Sequence, residues 1–185
     1  MTIGADFEAV IAAAKAGGEW AWQRIYFDLS PTVLGYLLSR GASDPEDLLG
    51  EVFLQVVRDV GSFSGGEREF RSWVLTIAHH RLLDDVRYRS RRPLESVTEE
   101  TLAGSAPVGD AEEDALLGLE MGRLRRALEG LSPDQQDILM LRLFGDLTID
   151  EIARIVGKRP GAVKALQRRG LIALRKILSS LAVTL

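Results

Sequence analysis

The sequence predicts an all-α protein: two small helical domains joined by a flexible acidic linker, the C-terminal one a helix-turn-helix. Three observations carry that expectation. Apolar residues recur at helical spacing, as in Leu48, Leu49, Val52, Phe53, Val56 and Val57, while the two-residue alternation of a half-buried strand is nearly absent. Helix starts are also marked. Asp44-Pro45, Ser30-Pro31 and Ser132-Pro133 each place a capping side chain before a proline at the first helical position, and Ser132 with Gln135 and Thr148 with Glu151 match the reciprocal capping box. The third observation is "PLESVTEETLAGSAPVGD", Pro93 to Asp110, which loses the apolar period and gathers Pro, Gly, Ser and acid. These signals predict helix starts near residues 31, 45, 133 and 149, a first domain over 1–92, a linker over 93–110 and a second domain over 111–185.

A chain of 185 residues has room for two small helical cores. It contains no cysteine, which excludes disulfides and thiolate metal sites and fits a reducing cytoplasm. No stretch approaches ~18 uninterrupted apolar residues, and "MTIGADFEAV" lacks the basic start of a secretory signal, so the expectation is a cytoplasmic protein without direct membrane insertion. The net charge of −4 hides a marked asymmetry. Glu95 to Gly122 holds eight acids and no base, whereas Ile152 to the C-terminus holds eight bases and no acid. Separate surfaces of opposite sign imply separate partners.

The stretch "IAHHRLLDDVRYRSRR", residues 77–92, contains both histidines of the chain and two adjacent aspartates. A metal centre is one reading, and helix geometry opposes it. His79 and His80 project about 100° apart, so they cannot reach one ion together. His80 and Asp84 have the chelating i, i+4 spacing but lack the further histidine or cysteine ligands that such a site requires. The alternative is a helix with three stripes. Leu75, Ala78, Leu82 and Val86 form a core seam; His80, Arg87 and Arg91 form a second stripe, and Arg81, Tyr88 and Arg92 a third. Guanidinium forks bind phosphate and aromatic faces accept stacked bases, so these stripes suit nucleic acid. A solvated helix face tied by i, i+4 pairs remains the plain alternative.

The segment "LTIDEIARIVGKRPGAVKALQRRGLIALRKIL", 147–178, reads as a helix-turn-helix. A capped helix from Ile149 to Val156 is broken by Gly157, a second begins near Pro160, and Ile152, Ile155, Val163 and Leu166 bury between them. Lys158, Arg159, Lys164, Arg168 and Arg169 stay outside, where a helix entering the major groove meets phosphates and base edges. The loop "GSFSGGERE", 61–69, lacks the GK[ST] ending of a phosphate loop and follows a helix rather than a strand. No nucleophile motif is present, so no catalytic residue, metal, cofactor or small-molecule substrate is expected. A further helix, "DPEDLLGEVFLQVVRDV" (44–60), carries acids in its first turn that also suit the helix dipole.

Taken in order, these motifs resemble the extracytoplasmic-function (ECF) group of the sigma-70 family of transcription initiation factors. Phe70, Trp73, Val74, Ile77, Ala78, Asp84 and Arg87 match one family pattern; Leu147, Thr148, Glu151, Ile152, Ala153, Gly157, Gly161, Ala162, Val163 and Lys164 match the other. The sequence departs from the family at Gly50, where glutamine is common, at His80, often asparagine, and at Ala165-Leu166, frequently Ser-Arg. The resemblance implies a non-enzymatic factor that binds RNA polymerase core enzyme through Asp44, Glu46, Asp47, Leu48, Glu51 and Phe53. It implies capture and melting of the promoter −10 element by Phe63, Ser64, His80, Arg81, Asp84, Arg87, Tyr88 and Arg91. Lys158, Arg159, Pro160, Gly161, Lys164, Arg168 and Arg169 would read the −35 duplex, and an anti-sigma factor would hold the protein inactive. On the residues alone, a one-component DNA-binding regulator with an N-terminal sensing or dimerisation domain stays open. So does a solvated role for the acidic 95–120 segment, against passage through the polymerase's RNA path.

Overall fold

The computed structural model describes residues 3–91 and 128–182. Every regular element among them is helical. The N-terminal group comprises α1 (Phe7–Lys15), α2 (Glu19–Ser39), α3 (Pro45–Asp59) and α4 (Glu67–Arg91); the C-terminal group comprises α5 (Pro133–Gly145), α6 (Ile149–Ile155) and α7 (Pro160–Ala182). The expected linker over 93–110, the domain start at 111, Arg92 and the 95–122 acid run lie outside the described residues. No described helix is long and apolar enough to cross a membrane.

Three of the four marked helix starts stand where the caps put them. Asp44 accepts the Asp47 N–H at 2.9 Å ahead of Pro45. Ser132 accepts the Gln135 N–H while the Gln135 carbonyl oxygen accepts the Ser132 N–H, and Thr148 and Glu151 make the same exchange. Each closed box satisfies two backbone donors that a helix start otherwise leaves unpaired. Thr148→Ala is therefore expected to lower stability by about 1 kcal/mol, read as a shift in the urea unfolding midpoint.

The fourth start is corrected. Ser30-Pro31 opens no helix; α2 runs through it for 21 residues with Pro31 inside. An internal proline costs about 3 kcal/mol. Ala21, Ile25, Leu29, Val33, Tyr36 and Leu37 form one continuous buried seam across the proline, and burial of that seam outweighs a local preference to begin again.

In the N-terminal group, α1, α2, α3 and α4 enclose Val10, Ile25, Val33, Val52, Val56, Phe70, Val74 and Leu82, all buried. Phe70 centres an aromatic cluster, with ring centroids 5.8 Å from Phe7, 5.1 Å from Phe63 and 5.6 Å from Trp73. The seam of α4 buries Leu75, Ala78 and Leu82 as expected but not Val86, which is 42% exposed. Past Leu82 the helix outruns its own core, so its last turns stand in solvent.

In the C-terminal group, Ile138, Leu141, Leu147, Ile152, Ile155 and Val163 form the core and Leu166 is half-buried. The turn between α6 and α7 has Gly157 at φ 64°, where a side chain would be strained, and the Lys158 N–H returns to the Ala153 carbonyl at 2.9 Å. This turn sets the angle of α7.

Candidate nucleic-acid interface and docking face

His80, Asp84, Arg87 and Arg91 share one exposed face of α4, at i, i+4, i+7 and i+11, with exposed Tyr88 beside them. Arg87 is paired with Asp84 at 3.0 Å, both well exposed, a contact weak enough for phosphate to replace. Arg81 turns elsewhere. Its Nε and Nη2 both donate to Gln55 Oε1, at 3.1 and 2.9 Å, and Nη1 lies 3.6 Å from Glu51, so it ties α4 to α3. Phe63 is half-buried, its ring edge-on to Phe70 and tilted against Trp73, and its carbonyl accepts from Lys15 Nζ at 2.6 Å, while Ser64 next to it is exposed. Trp73 is likewise half-buried in this cluster.

Adjacent His79 behaves differently from His80. It is buried, with Nδ1 2.8 Å from the Tyr36 hydroxyl, which lies 3.3 Å from Asp137 Oδ1. A hydroxyl has one proton; given to the carboxylate, it leaves the oxygen to accept His79 Nδ1–H. Arg40 Nε donates to the same Asp137 oxygen at 2.7 Å, and Nη1 donates to Gln136. Burial pushes the His79 imidazole below its ordinary value, although the Asp137 carboxylate opposes this. The unfolded chain takes up that proton near pH ~6.5 while the folded chain resists it, so stability falls as pH drops through and below that value. The urea midpoint is expected to be lower at about pH 5.5 than at about pH 7.5, and His79→Gln to remove part of the difference. A midpoint flat across this window contradicts the assignment. The Asp85 carboxylate has partners of its own, the Ser43 N–H and hydroxyl and Arg89.

On α7, Gly161, Lys164 and Arg168 are exposed along one face, with Pro160 and Arg159 at its start and Arg169 alongside. Val163 is buried beneath them. Lys158 is half-buried and paired with Asp134 at 2.9 Å, which places it between the start of α5 and the turn. Glu151, buried in the capping box, also accepts from Arg68 Nε and Nη2 at 3.0 and 3.3 Å. Desolvation alone would raise its carboxyl pKa; the Thr148 hydroxyl and backbone N–H, with Arg68 beyond them, hold it below the usual value.

The acid-led helix α3 divides its expected contacts. Glu46, Asp47 and Glu51 are exposed and Asp44 caps the helix, whereas Leu48 and Phe53 are buried in the core. Reasoning from sequence missed what stands on the outer face. Leu54 is 66% exposed, Val57 is exposed beside it, and Tyr26 and Phe27 project from α2, with the Tyr26 ring 4.8 Å from Phe53. Glu46, Gly50, Leu54 and Val57 fall at i, i+4, i+8 and i+11, a spacing that could have revealed the face. Apolar surface rimmed by acid marks a protein-docking site.

A helical N-terminal group with an acid-rimmed apolar face, followed by a helix-turn-helix with a cationic second helix, defines a DNA-binding factor that also docks on a protein. Comparison with known proteins agrees. A model described as "Sigma-70 region 2" matches residues 26–92, and one described as "Sigma-70, region 4" matches 121–174. The RNA polymerase sigma factor CarQ of Myxococcus xanthus is 30% identical over 169 residues, covering 90% of this chain and 94% of that one. The ECF RNA polymerase sigma factor BldN of Streptomyces coelicolor is 35% identical over 171 residues, covering 91% of this chain; the chain spans 64% of that relative's length. Among solved structures, CnrH in complex with the cytosolic domain of CnrY superimposes with a TM-score of 0.69 at 19% identity, covering 93% of this chain and 96% of that one. The sigma factor RpoE of Bartonella quintana, in complex with the anti-sigma factor NepR, gives 0.65 at 21% identity, with 85% and 96% covered. At such identities these two speak for the fold. The chain belongs to the ECF group of the sigma-70 family, whose members are transcription initiation factors and not enzymes.

Proposed function

We propose that this protein binds RNA polymerase core enzyme and directs it to specific promoters, with α4 and the 61–69 loop melting the −10 element and α7 reading the −35 duplex. The observation that carries this reading is the pairing of two exposed cationic helical faces, His80–Arg87–Arg91 on α4 and Lys164–Arg168 on α7, with a separate acidic and apolar face on α3. DNA and polymerase then meet different sides of the molecule. Melting without hydrolysis is possible because capture of an unstacked base offsets the few kcal/mol lost in opening the duplex. Polymerase docking in this reading uses exposed Glu46, Asp47 and Glu51 with Leu54 and Val57, while Leu48 and Phe53 hold the helix from beneath. The working compartment is the cytoplasm, and an anti-sigma factor is the third partner.

The test is association of purified chain with core enzyme. Glu46→Lys with Asp47→Lys is expected to weaken it at least tenfold while leaving the helical content unchanged, because reversed rim charges oppose docking. Unaltered association of the doubly reversed chain removes α3 from the docking face. Stable operator binding by the free chain, with no association with polymerase, would favour a one-component regulator instead.

A further inference from the structure

The 61–69 loop is tied to α1 at two points. At the first, the Phe63 carbonyl accepts from Nζ of Lys15, the last residue of α1, at 2.6 Å, while the Phe63 N–H donates to the Val60 carbonyl at 3.0 Å. At the second, Glu67, the first residue of α4, reaches the turn that precedes α1: its Oε1 accepts the Ile3 N–H at 2.6 Å and its Oε2 the Gly4 N–H at 3.1 Å. That turn is shaped to take a carboxylate. Ile3 is right-handed, at φ −57° and ψ −32°, and Gly4 is left-handed, at φ 75°, so successive N–H groups point into one concavity, a backbone nest for an anion. Glycine alone takes the second position without strain. Buried Ile3 fixes the turn against the core, and Phe7 of α1 meets Phe70, the ring that Phe63 also meets. Ser64, Gly65 and Gly66, between the two ties, are exposed.

We propose that α1 and the turn ahead of it form a two-point bracket that presets the 61–69 loop for capture of an unstacked base, with Lys15, Gly4 and Glu67 as its positioning residues. The inference rests on the promoter-factor reading above and deepens it at the loop. A tip of serine and two glycines has many conformations, and ordering it when a base arrives costs free energy. Tying the chain on both sides of the tip removes part of that cost in advance, so the bracket acts on affinity for the captured base and little on the fold. The charges agree with this role. Lys15 is exposed, yet its ammonium is directed to a backbone carbonyl of the loop. A carboxylate beside a DNA-capturing loop opposes phosphate, and here the nest and Arg71 Nη2, 3.8 Å from Glu67 Oε1, offset its charge.

Run-off transcription supplies a promoter, and a template of that promoter opened in advance over the −10 element presents its non-template strand unpaired. Affinity of the full chain with core enzyme is then read for the intact strand and for strands carrying one abasic site at each −10 position in turn. Wild type is expected to lose most at one position, that of the captured base. Lys15→Met keeps the aliphatic stem and removes the donor, and Gly4→Ala strains the nest. Each is expected to reduce the intact-over-abasic ratio at that position about five- to tenfold, whereas Lys15→Arg, which still donates, stays within about twofold of wild type. Core-enzyme association through α3 is expected to be unchanged in all three. In the free chain, the amides of residues 64–66 are expected to exchange faster in Lys15→Met and Gly4→Ala than in wild type. Wild-type ratios in both variants overturn the bracket. So does a Lys15→Met loss that is equal on intact and abasic strands and comes with a salt slope shallower by about 0.7, which would make Lys15 a direct phosphate contact. A wild-type chain that selects no promoter on any template sinks the promoter-factor reading and the bracket's role with it, a result distinguishable because exchange in the free chain is measured without DNA.

Discussion

Replacing Lys164 and Arg168 together by glutamate is expected to lower affinity for duplex promoter DNA by about two orders of magnitude, from the ~1–3 kcal/mol that each groove contact contributes. Both side chains lie one turn apart on the exposed face of α7, with buried Val163 beneath holding the helix in place. Neither is part of the core, so the thermal midpoint should barely move. The loss has a second signature. Each phosphate contact contributes about −0.9 to the slope of log affinity against log salt, so the double variant should show a slope shallower by up to about 2. Weaker binding with an unchanged salt slope would mean that these cations do not face phosphate. Core-enzyme binding through α3 should persist, which separates DNA reading from polymerase docking.

Phe70→Ala is expected to be the most destabilising single change in the N-terminal helices, costing about 3–5 kcal/mol. Phe70 is fully buried and its ring meets Phe7 from α1, Phe63 from the loop before α4, and Trp73. Its removal leaves a cavity where three elements converge. Phe63 loses its seat, and amides over 60–66 should lose hydrogen-exchange protection before those of α2. Since Ser64 and Phe63 belong to the proposed strand-capture loop, −10 opening should fail at temperatures where α3 still docks polymerase. A small shift in the urea midpoint, below ~1 kcal/mol, would show that the cluster does not carry the loop.

The parts of the fold legible in the sequence are those set by local chemistry. Asp44, Ser132 and Thr148 cap helices because their oxygens reach a backbone N–H three residues on, a requirement written within four positions. Gly157 marks the turn into α7 for a similarly local reason. Ser30-Pro31 carries the same kind of signal and misleads, because a buried seam from Ala21 to Leu37 runs across it. Periodicity over the longer span held the better clue. Val86 follows the seam of α4 in sequence but lies beyond the point where other helices cover it, and no window of one helix reveals where its neighbours stop.

The cationic faces of the candidate site were legible because charge and helical spacing coincide there. Leu48 and Phe53 sit among the acids of α3 and share their turn, yet they face inward; family patterns record a residue, not the side on which it lies. The polar seam was invisible for another reason. Tyr36 and Asp137 are 101 positions apart, and a buried His79 or Asp137 is indistinguishable in sequence from a solvated one until its partner is placed beside it.

The most direct test of the central claim is run-off transcription from a genomic template library by purified core enzyme, with and without this chain. Discrete starts that depend on the chain, and that are lost when Lys164 and Arg168 are reversed, are expected. Transcription indistinguishable from core enzyme alone on every template would contradict it.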